Sequence, residues 1–261
     1  MLSEIPMTLV KYEVRDRVAE ISLDHGPVNA LTEPMLDQLL AGLRRARDDA
    51  LIRAVIVRSD VPRRFCAGLD LAAAGRMASA DLRALVEKLY VGIYDAQTQL
   101  GKPSIAAVNG TTRGGGMTLA ISCDLIVAGR SACFGYPEID VGLIPAIHYA
   151  HLPPIVGRYR AFDLLFTGRA FDSAEGASLG LVSRVVDDDE VLDRARELAQ
   201  ELAAKPQEVL AMGRAAFRKE NDSDYRAAVA RAVDNFCAAA ATEQAREGLS
   251  AFTEKRKPDW A

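Results

Sequence analysis

The chain has few cysteines, and their spacing matches neither a metal site nor a disulfide framework. Its 261 residues include Cys66, Cys123, Cys133 and Cys237, with no Cys-x-x-Cys pair. Structural zinc sites use closely paired cysteines, and disulfide scaffolds are typical of much smaller chains. We therefore predict four buried, reduced thiols and no bound metal.

An excess of positive charge is also absent. The 32 lysines and arginines are outnumbered by 36 aspartates and glutamates, which gives a formal net charge of −4 and a pI near 5.5. A nucleic-acid-binding surface is marked by clustered basic residues and a high pI, so we expect no nucleic-acid partner. Neither the Gly-x-x-x-x-Gly-Lys phosphate loop nor the Gly-x-Gly-x-x-Gly dinucleotide motif occurs, which excludes two common enzyme classes.

Long apolar runs are missing as well. The longest uncharged stretch, residues 141–157, contains three prolines and two histidines. A membrane-spanning helix needs about 20 consecutive, mostly apolar residues, so we expect no membrane association and predict a loop plus a short helix here. Residues 1–6 have no basic segment followed by an apolar core, and we therefore expect no secretory signal and a cytoplasmic location.

What the sequence does contain is an alternation of strand-like and helix-like segments. Residues 9–23 suggest a hairpin, and residues 32–43 read as a capped amphipathic helix. Further short β-rich runs are separated by helical segments, an order that predicts an α/β fold with parallel strands. These runs are residues 54–57, 104–108, 124–128 and 181–186.

From residue 189 onward the apolar residues recur at helical spacing. A chain of this length, with 49% hydrophobic residues, can bury one sizeable core. We therefore predict a single catalytic core at residues 1–188, followed by a C-terminal helical region at residues 189–261.

Three consecutive glycines, Gly114, Gly115 and Gly116, start an apolar helix-like run after the β-like residues 104–108. Glycine lets the backbone approach a ligand closely, and the free N–H groups at a helix start attract negative charge. The triplet therefore indicates an anion-binding turn, although tight packing of a helix on a strand would explain the same glycines.

A second segment makes the anion-binding interpretation stronger. Residues 64–71, Arg-Phe-Cys-Ala-Gly-Leu-Asp-Leu, form another apolar run that reaches a glycine, so that two loops can offer two donors. The two segments resemble the signatures of the enoyl-CoA hydratase/isomerase (crotonase) family, F-[SC]-A-G-x-D-[LI] and N-G-x-x-x-G-G-G, in the family's order. Residues 134–145, 166–182 and 252–258 are also similar to that family, and the resemblance covers nearly the whole chain.

The resemblance implies a crotonase-like β-β-α spiral core, with a C-terminal helical region used in trimer contacts. We therefore expect a homotrimer or a dimer of trimers. It also implies an acyl-CoA thioester as the substrate, with coenzyme A as part of that substrate and no separate cofactor. The backbone N–H groups of Leu69 and Gly115 would form the oxyanion hole for the thioester oxygen, which becomes negative in an enolate.

The acid–base residues depart from the hydratase pattern. Hydratases of the family carry one glutamate two residues past the glycine triplet and another after a proline; here the first position is Thr118 and the second is Glu138. Two carboxylates can activate a water, whereas one is enough to carry a proton between two carbons. The sequence therefore favours Δ3,Δ2-enoyl-CoA isomerisation by Glu138. The dienoyl-CoA isomerase variant is disfavoured, because its acids would stand at Thr118 and Ala146.

Two alternatives remain open. In the first, Glu138 acts with a water held by Thr118, as an enoyl-CoA hydratase or an acyl-CoA hydrolase; in the second, the protein binds acyl-CoA without catalysis. A threonine near a helix start often satisfies backbone groups instead. Asp140 could supply a second carboxylate, but its side chain would point to the same side as that of Glu138 only if the segment were regularly extended.

The stretch after Pro145 also differs from the family pattern, because most members of the family are glycine-rich at these positions. His148 and His151 can share a helix face, but no third metal ligand is evident. We expect this stretch to reshape the acyl end of the pocket, and both a polar role and a packing role stay open for His148 and Tyr149.

For coenzyme A, the resemblance places the adenine against the backbone of residues 67–71. Cationic side chains suit its phosphates, and Arg64 and Lys255 are the best candidates, although Lys255 can equally belong to a solvated tail. The predicted substrate-binding residues are Arg64, Ala67, Gly68, Asp70, Leu71, Gly114 and Lys255.

Overall fold

The computed structural model describes residues 7–222 and 224–260. The strands are β1 (Val10–Arg15), β2 (Val18–Leu23), β3 (Ala30–Leu31), β4 (Ala54–Ser59), β5 (Arg64–Cys66), β6 (Gly68–Leu69), β7 (Ser104–Val108), β8 (Thr111–Arg113), β9 (Leu125–Gly129), β10 (Cys133–Gly135), β11 (Ala170–Asp172) and β12 (Arg184–Val186). The helices are α1 (Glu33–Asp48), α2 (Leu71–Ala74), α3 (Ser79–Glu87), α4 (Ile93–Gln99), α5 (Gly115–Ser122), α6 (His148–Val156), α7 (Arg158–Thr167), α8 (Ser173–Ser178), α9 (Val191–Ala203), α10 (Gln207–Asn221), α11 (Tyr225–Ala240) and α12 (Glu243–Glu254). A π-helical segment, Lys88–Gly92, joins α3 to α4, and a 3-10 helix spans Pro137–Val141.

The strands pair in two main sheets. The larger sheet has the order β1-β2-β4-β7-β9-β12, in which β1 is antiparallel to β2 and the remaining neighbours are parallel. The smaller sheet has the order β11-β10-β8-β5, and a short parallel pair joins β3 to β6. The predicted hairpin at residues 9–23 is therefore confirmed as β1 and β2.

The chain alternates between the two sheets as it advances. Strands β4, β7 and β9 enter the larger sheet, and each is followed by a strand of the smaller sheet, respectively β5, β8 and β10. Helices follow β6 and β8, so that the repeated unit is strand, strand, helix. The predicted α/β fold with parallel strands and crossover helices is confirmed.

The inner strands of the larger sheet, β4, β7 and β9, are covered on both faces, which explains their apolar runs. On β4, Val55 and Val57 face the main core, whereas Ala54 and Ile56 belong to a second apolar cluster. Helix α9 closes that second cluster with its buried side chains, which are Val191, Ala195, Leu198 and Ala199. The helical spacing of apolar residues predicted after residue 189 is thus confirmed for α9.

Some local predictions need correction. The Thr32 side chain does not cap α1, because its hydroxyl has no hydrogen-bond partner among the described residues. The strand predicted at residues 181–186 is only β12, since Leu181 and Val182 lie buried in the preceding turn. Of the cysteines, Cys66 and Cys123 are buried, whereas two others are only half-buried; all four thiols are free.

The helical C-terminal region is confirmed, and so is the short helix in residues 141–157, which is α6. The boundary at residue 188 stays a prediction. In the described part of the chain, no helix combines the length and apolar character that crossing a membrane requires. The prediction about a secretory signal concerns residues 1–6, which lie outside the described residues.

Candidate active site

The glycine triplet forms the turn between β8 and α5. Gly114 has φ 50° and ψ −119°, a conformation that favours glycine, and helix α5 begins at Gly115. The Gly114 N–H donates to the Gly135 carbonyl at 3.1 Å, which ties the turn to strand β10. The prediction that the triplet opens a helix is therefore confirmed.

The second loop passes directly over this helix start. Gly68 has φ +92°, and a Cβ built on it would lie 2.9 Å from the Arg113 carbonyl oxygen and 3.0 Å from the Gly115 nitrogen. The Asp70 N–H donates to the Leu31 carbonyl at 3.0 Å, so β6 is held on its other side by β3. The structure thus brings together the two loops that carry Leu69 and Gly115, both of which are half-buried.

Glu138 reaches this helix start from the 3-10 helix Pro137–Val141. A Cβ at Gly114 would lie 3.0 Å from the Glu138 Oε1 atom, so the carboxyl rests against the glycine turn. Its Oε2 atom is buried and has no hydrogen-bond partner among the described residues. Burial raises the pKa of the Glu138 carboxyl from 4.5 to about 7, although a hydrogen bond from its own backbone opposes this rise.

Two further polar side chains, those of Thr118 on α5 and His148 at the start of α6, contact each other near the start of α5. Thr118 is one helical turn beyond Gly114, its N–H donates to the Gly114 carbonyl at 3.3 Å, and its side chain is buried. Its hydroxyl lies 3.4 Å from the Nε2 atom of buried His148, at the start of α6. The sequence left both a polar role and a packing role open for His148. The structure adds a polar contact, because the His148 ring lies against the hydroxyl of Thr118, a predicted site residue.

Aromatic rings enclose these polar groups. The Tyr136 ring lies 4.5 Å from the His148 ring, measured between centroids, and its hydroxyl has no hydrogen-bond partner in the described chain. Burial, followed by the charge of Glu138, raises the pKa values of both Tyr136 and Tyr90. Tyr149 stacks on exposed Phe166, with 5.6 Å between ring centroids.

Asp140 and the histidine pair do not add a second acid or a metal site. Asp140 lies in a 3-10 helix rather than an extended segment, and its exposed carboxyl lies against Gly168. The ring centroids of His148 and His151 are 6.3 Å apart. Within residues 7–222 and 224–260, no group of three or more acidic, histidine or cysteine residues could hold a metal ion.

A match to the Gly-x-Ser-x-Gly spacing of hydrolase nucleophiles occurs at residues 176–180. Ser178 ends helix α8, and its hydroxyl donates to the Glu175 carbonyl at 2.8 Å. A nucleophilic serine of that class stands on a sharp strand-to-helix turn. Ser178 therefore has neither the position nor the free hydroxyl of a nucleophile.

Of the predicted coenzyme A residues, Asp70 and Leu71 lie at the start of α2 and Lys255 lies at the end of α12, whereas Arg64 is on β5 and Gly114 precedes α5. The Asp70 side chain caps α2 by accepting from the Ala73 N–H at 2.9 Å, so this carboxylate is already in use. The Ala67 N–H donates to the Val28 carbonyl at 3.0 Å. Leu71 lines a cavity of about 600 Å³ between α2 and α12.

The two predicted phosphate ligands are both exposed. Arg64 donates to the Thr111 hydroxyl at 3.1 Å, and Lys255 ends α12 in a left-handed conformation, with φ 56°. Their role stays a prediction.

A second cavity, of about 730 Å³, lies behind Thr118. Tyr90 and His151 line it together with residues of α10, which include Leu210 and Phe217. Most of its lining is apolar, so this space suits a hydrocarbon group better than a charged one.

The sequence could not have predicted the contact between Thr118 and His148. The only available signal was the replacement of glycines by Ala146-Ile147-His148 after Pro145. That change pointed to a different pocket but did not identify its partner on α5.

The comparisons with known proteins agree with this geometry. The family model described as enoyl-CoA hydratase/isomerase matches residues 13–261, and the chain belongs to this family. The predicted family and the crotonase-like fold are both confirmed.

Similar proteins include a probable mitochondrial enoyl-CoA hydratase 2 of Arabidopsis thaliana, 35% identical over 92% of this chain and 80% of the plant protein. The 2,3-dehydroadipyl-CoA hydratase of Escherichia coli K12 is 35% identical over 89% of this chain and 90% of its own length. The crystal structure of an enoyl-CoA hydratase/isomerase from Pseudoalteromonas atlantica has a TM-score of 0.86 and 28% identity, and covers 97% of this chain and 100% of that protein.

Proposed function

We propose that this protein adds water to the conjugated double bond of a 2-enoyl-CoA thioester, with Glu138 as its acid–base residue. The sequence alone favoured isomerisation, but the two curated relatives described above are named hydratases. The buried Thr118 lies one helical turn from Gly114, against which the Glu138 carboxyl rests, and its hydroxyl supplies a polar group for a water. Together these observations favour hydration over isomerisation.

The observation that carries the proposal is the state of the Glu138 carboxyl. Its Oε2 atom is buried without a partner, and its pKa is raised to about 7. A group with a pKa near the working pH both accepts and returns a proton efficiently. An ordinary surface glutamate has neither property.

In the proposed reaction, ionised Glu138 takes a proton from a water whose oxygen bonds to C3 of the enoyl group. The electron pair of the double bond moves toward the thioester, and Glu138 then gives the same proton to C2. All atoms of the water are thereby accounted for, and the carboxylate is regenerated.

The thioester oxygen carries negative charge during this step. We propose that the backbone N–H groups of Leu69 and Gly115 donate to it, and the close approach of their loops supports this role. A helix start adds favourable positive potential there. Each such donor typically stabilises the transition state by about 3 kcal/mol.

Isomerisation of a 3-enoyl-CoA is the second candidate, and one observation favours it. Thr118 stands where a second carboxylate would activate a water, and Asp140 does not replace it. With Glu138 alone, transfer of a proton from C2 to C4 needs no water.

The test is turnover of a panel of 2-enoyl-CoA and 3-enoyl-CoA thioesters by the wild type and Glu138→Gln, with products separated by mass and absorbance. We expect a 3-hydroxyacyl-CoA product that is lost in Glu138→Gln. Conversion of 3-enoyl-CoA without any hydration would establish the isomerase instead. Release of free coenzyme A would indicate a hydrolase, and binding without turnover a non-catalytic acyl-CoA binder.

For the substrate handle, we propose that residues 67–71 and the cavity between α2 and α12 receive coenzyme A. Arg64 and Lys255 remain the proposed phosphate ligands. As the resemblance implies, we also propose assembly as a homotrimer or a dimer of trimers.

A further inference from the structure

The site contains unpartnered buried polar atoms that the Glu138 chemistry does not use. They include the Nδ1 atom of His148 and the hydroxyl of Tyr136, both buried and without hydrogen-bond partners among the described residues. Buried polar groups in native proteins are rarely left unpaired. These atoms therefore indicate that the site binds a polar ligand that can hydrogen-bond to them, and the smallest such ligand is a water molecule.

Thr118 and His148 are in direct polar contact through their side chains. Their side chains are 3% and 1% exposed, and the Thr118 Oγ1 atom lies 3.4 Å from the His148 Nε2 atom. The Thr118 N–H donates to the Gly114 carbonyl at 3.3 Å, so Thr118 lies one helical turn beyond the glycine turn that starts α5. The Glu138 carboxyl rests against the same Gly114, so both Thr118 and Glu138 contact this one turn residue.

The surroundings keep the His148 ring neutral. Burial, followed by the nearby His151, lowers the pKa of His148 well below its usual value, and the Gly114 backbone only partly opposes this. The groups that face the ring from the packed elements are Thr118 on α5, Tyr136 after β10 and His151 on α6. A neutral imidazole has one nitrogen that can accept a hydrogen bond.

We propose that His148 accepts the Thr118 O–H at Nε2 and thereby turns the lone pairs of that hydroxyl toward the water that attacks C3. His148 is a positioning residue, and the Thr118–His148 pair takes the place of a second carboxylate. The inference rests on the proposed hydration reaction and deepens it.

The roles of the three side chains are then distinct. The water donates one hydrogen bond to the Thr118 oxygen and loses its other proton to Glu138. No proton moves to His148. Its role is to hold the Thr118 hydroxyl in one orientation, with the O–H directed to Nε2. A free hydroxyl rotor would present its O–H to the water in some orientations, and a water that accepts a hydrogen bond is a poorer nucleophile.

The test is a double-mutant cycle on the hydration rate, using Thr118→Val, His148→Phe and the double variant. Each single change is expected to lower kcat about 10- to 100-fold, the effect of losing one buried hydrogen bond. KM should change little, because neither side chain holds coenzyme A. If His148 acts through Thr118, the double variant should be no slower than the slower single variant.

Conservative variants separate positioning from packing. In His148→Gln an amide can reach the position of Nε2, whereas in His148→Asn it is too short. We expect Gln to recover kcat to within about fivefold of the wild type and Asn to remain as slow as Phe. If His148→Phe does not fold, the cycle is run with His148→Asn. As a control, His151→Phe should combine multiplicatively with Thr118→Val.

Two results overturn the inference while leaving hydration established. One is a double variant whose loss equals the product of the single losses; the other is a His148→Gln variant as slow as His148→Asn. Absence of hydration in the wild type is a different failure, because it removes the proposed function itself and the inference with it.

Discussion

The carboxyl of Glu138, the proposed acid–base residue, is buried at a cost in stability. Its pKa is raised in the folded protein to about 7, from 4.5. The folded state therefore binds more protons than the unfolded state between these values, and the free energy of unfolding decreases as the pH rises through this window. Above pH 7 the cost of the buried charge is fully present, and below about pH 4.5 it disappears.

We expect Glu138→Gln to be more stable than the wild type at pH 8, by about 3 kcal/mol, and equally stable at pH 4. The physical reason is that the amide stays neutral at both values. Denaturant unfolding at the two pH values measures the difference. As a control, Glu208→Gln changes an exposed residue of α10 and should differ little from the wild type at either pH. Equal stability of Glu138→Gln and the wild type at pH 8 would show that the carboxyl is not destabilised.

At the scale of elements, a buried ion pair fastens α9 to the larger sheet. Arg196 donates to both carboxylate oxygens of Glu20, at 2.7 and 3.0 Å, and the Arg58 Nε atom lies 3.0 Å from the same carboxylate. Burial alone would raise the pKa of Glu20, but the hydrogen bonds from Arg196 and the charges of both arginines hold it below its usual value. Glu20 is 1% exposed and lies on β2.

Glu20→Gln should therefore lower the free energy of unfolding at pH 7 by about 2–4 kcal/mol, because the two arginines lose their common partner in a buried position. Denaturant titration measures this loss. Asp193→Asn removes the other, exposed partner of Arg196 and should cost under about 1 kcal/mol. Similar losses in the two variants would contradict a special role for the buried pair.

The sequence predicted the elements well where one physical signal was strong. The helical spacing of apolar residues after residue 189 and the continuous apolar run at residues 54–57 each allow one interpretation, and the structure agrees with it. Thr32 shows the limit of such reasoning, since a favourable residue type at a helix start did not produce a side-chain cap. Asp140 shows another, because a proline-led segment that could have been extended forms a 3-10 helix.

At the scale of the whole molecule, the candidate site draws on four separate stretches of chain. The resemblance to the family pointed to Gly68, Gly114 and Glu138, because these residues stand in the motifs that carry the resemblance. It could not identify the contact between Thr118 and His148, because that contact depends on how α6 packs against α5. The two residues are separated by strands of both sheets.

Apolar side chains on the outside of the chain support the expected assembly. Helix α10 exposes Met212 by 66%, and α7 exposes Phe162 by 60%. Exposed apolar patches on a helix often mark contact surfaces.

We therefore expect light scattering to give three or six times the 28.2 kDa chain mass. Met212→Lys should shift the distribution toward the monomer, whereas Glu208→Lys, an exposed polar change on the same helix, should not. A monomer in the wild type would contradict the expected trimer.

The contact between Glu138 and Gly114 also limits how the protein can vary. The carboxyl occupies the volume that any side chain at position 114 would need, and the φ of 50° at Gly114 also disfavours a side chain there. In a selection that randomises both codons and scores turnover, glycine at 114 should be recovered together with glutamate at 138, because a larger residue at 114 displaces the carboxyl and a shorter one at 138 removes it. The two positions would then be inherited together, although Gly114 lies between β8 and α5 and Glu138 lies in the 3-10 helix after β10.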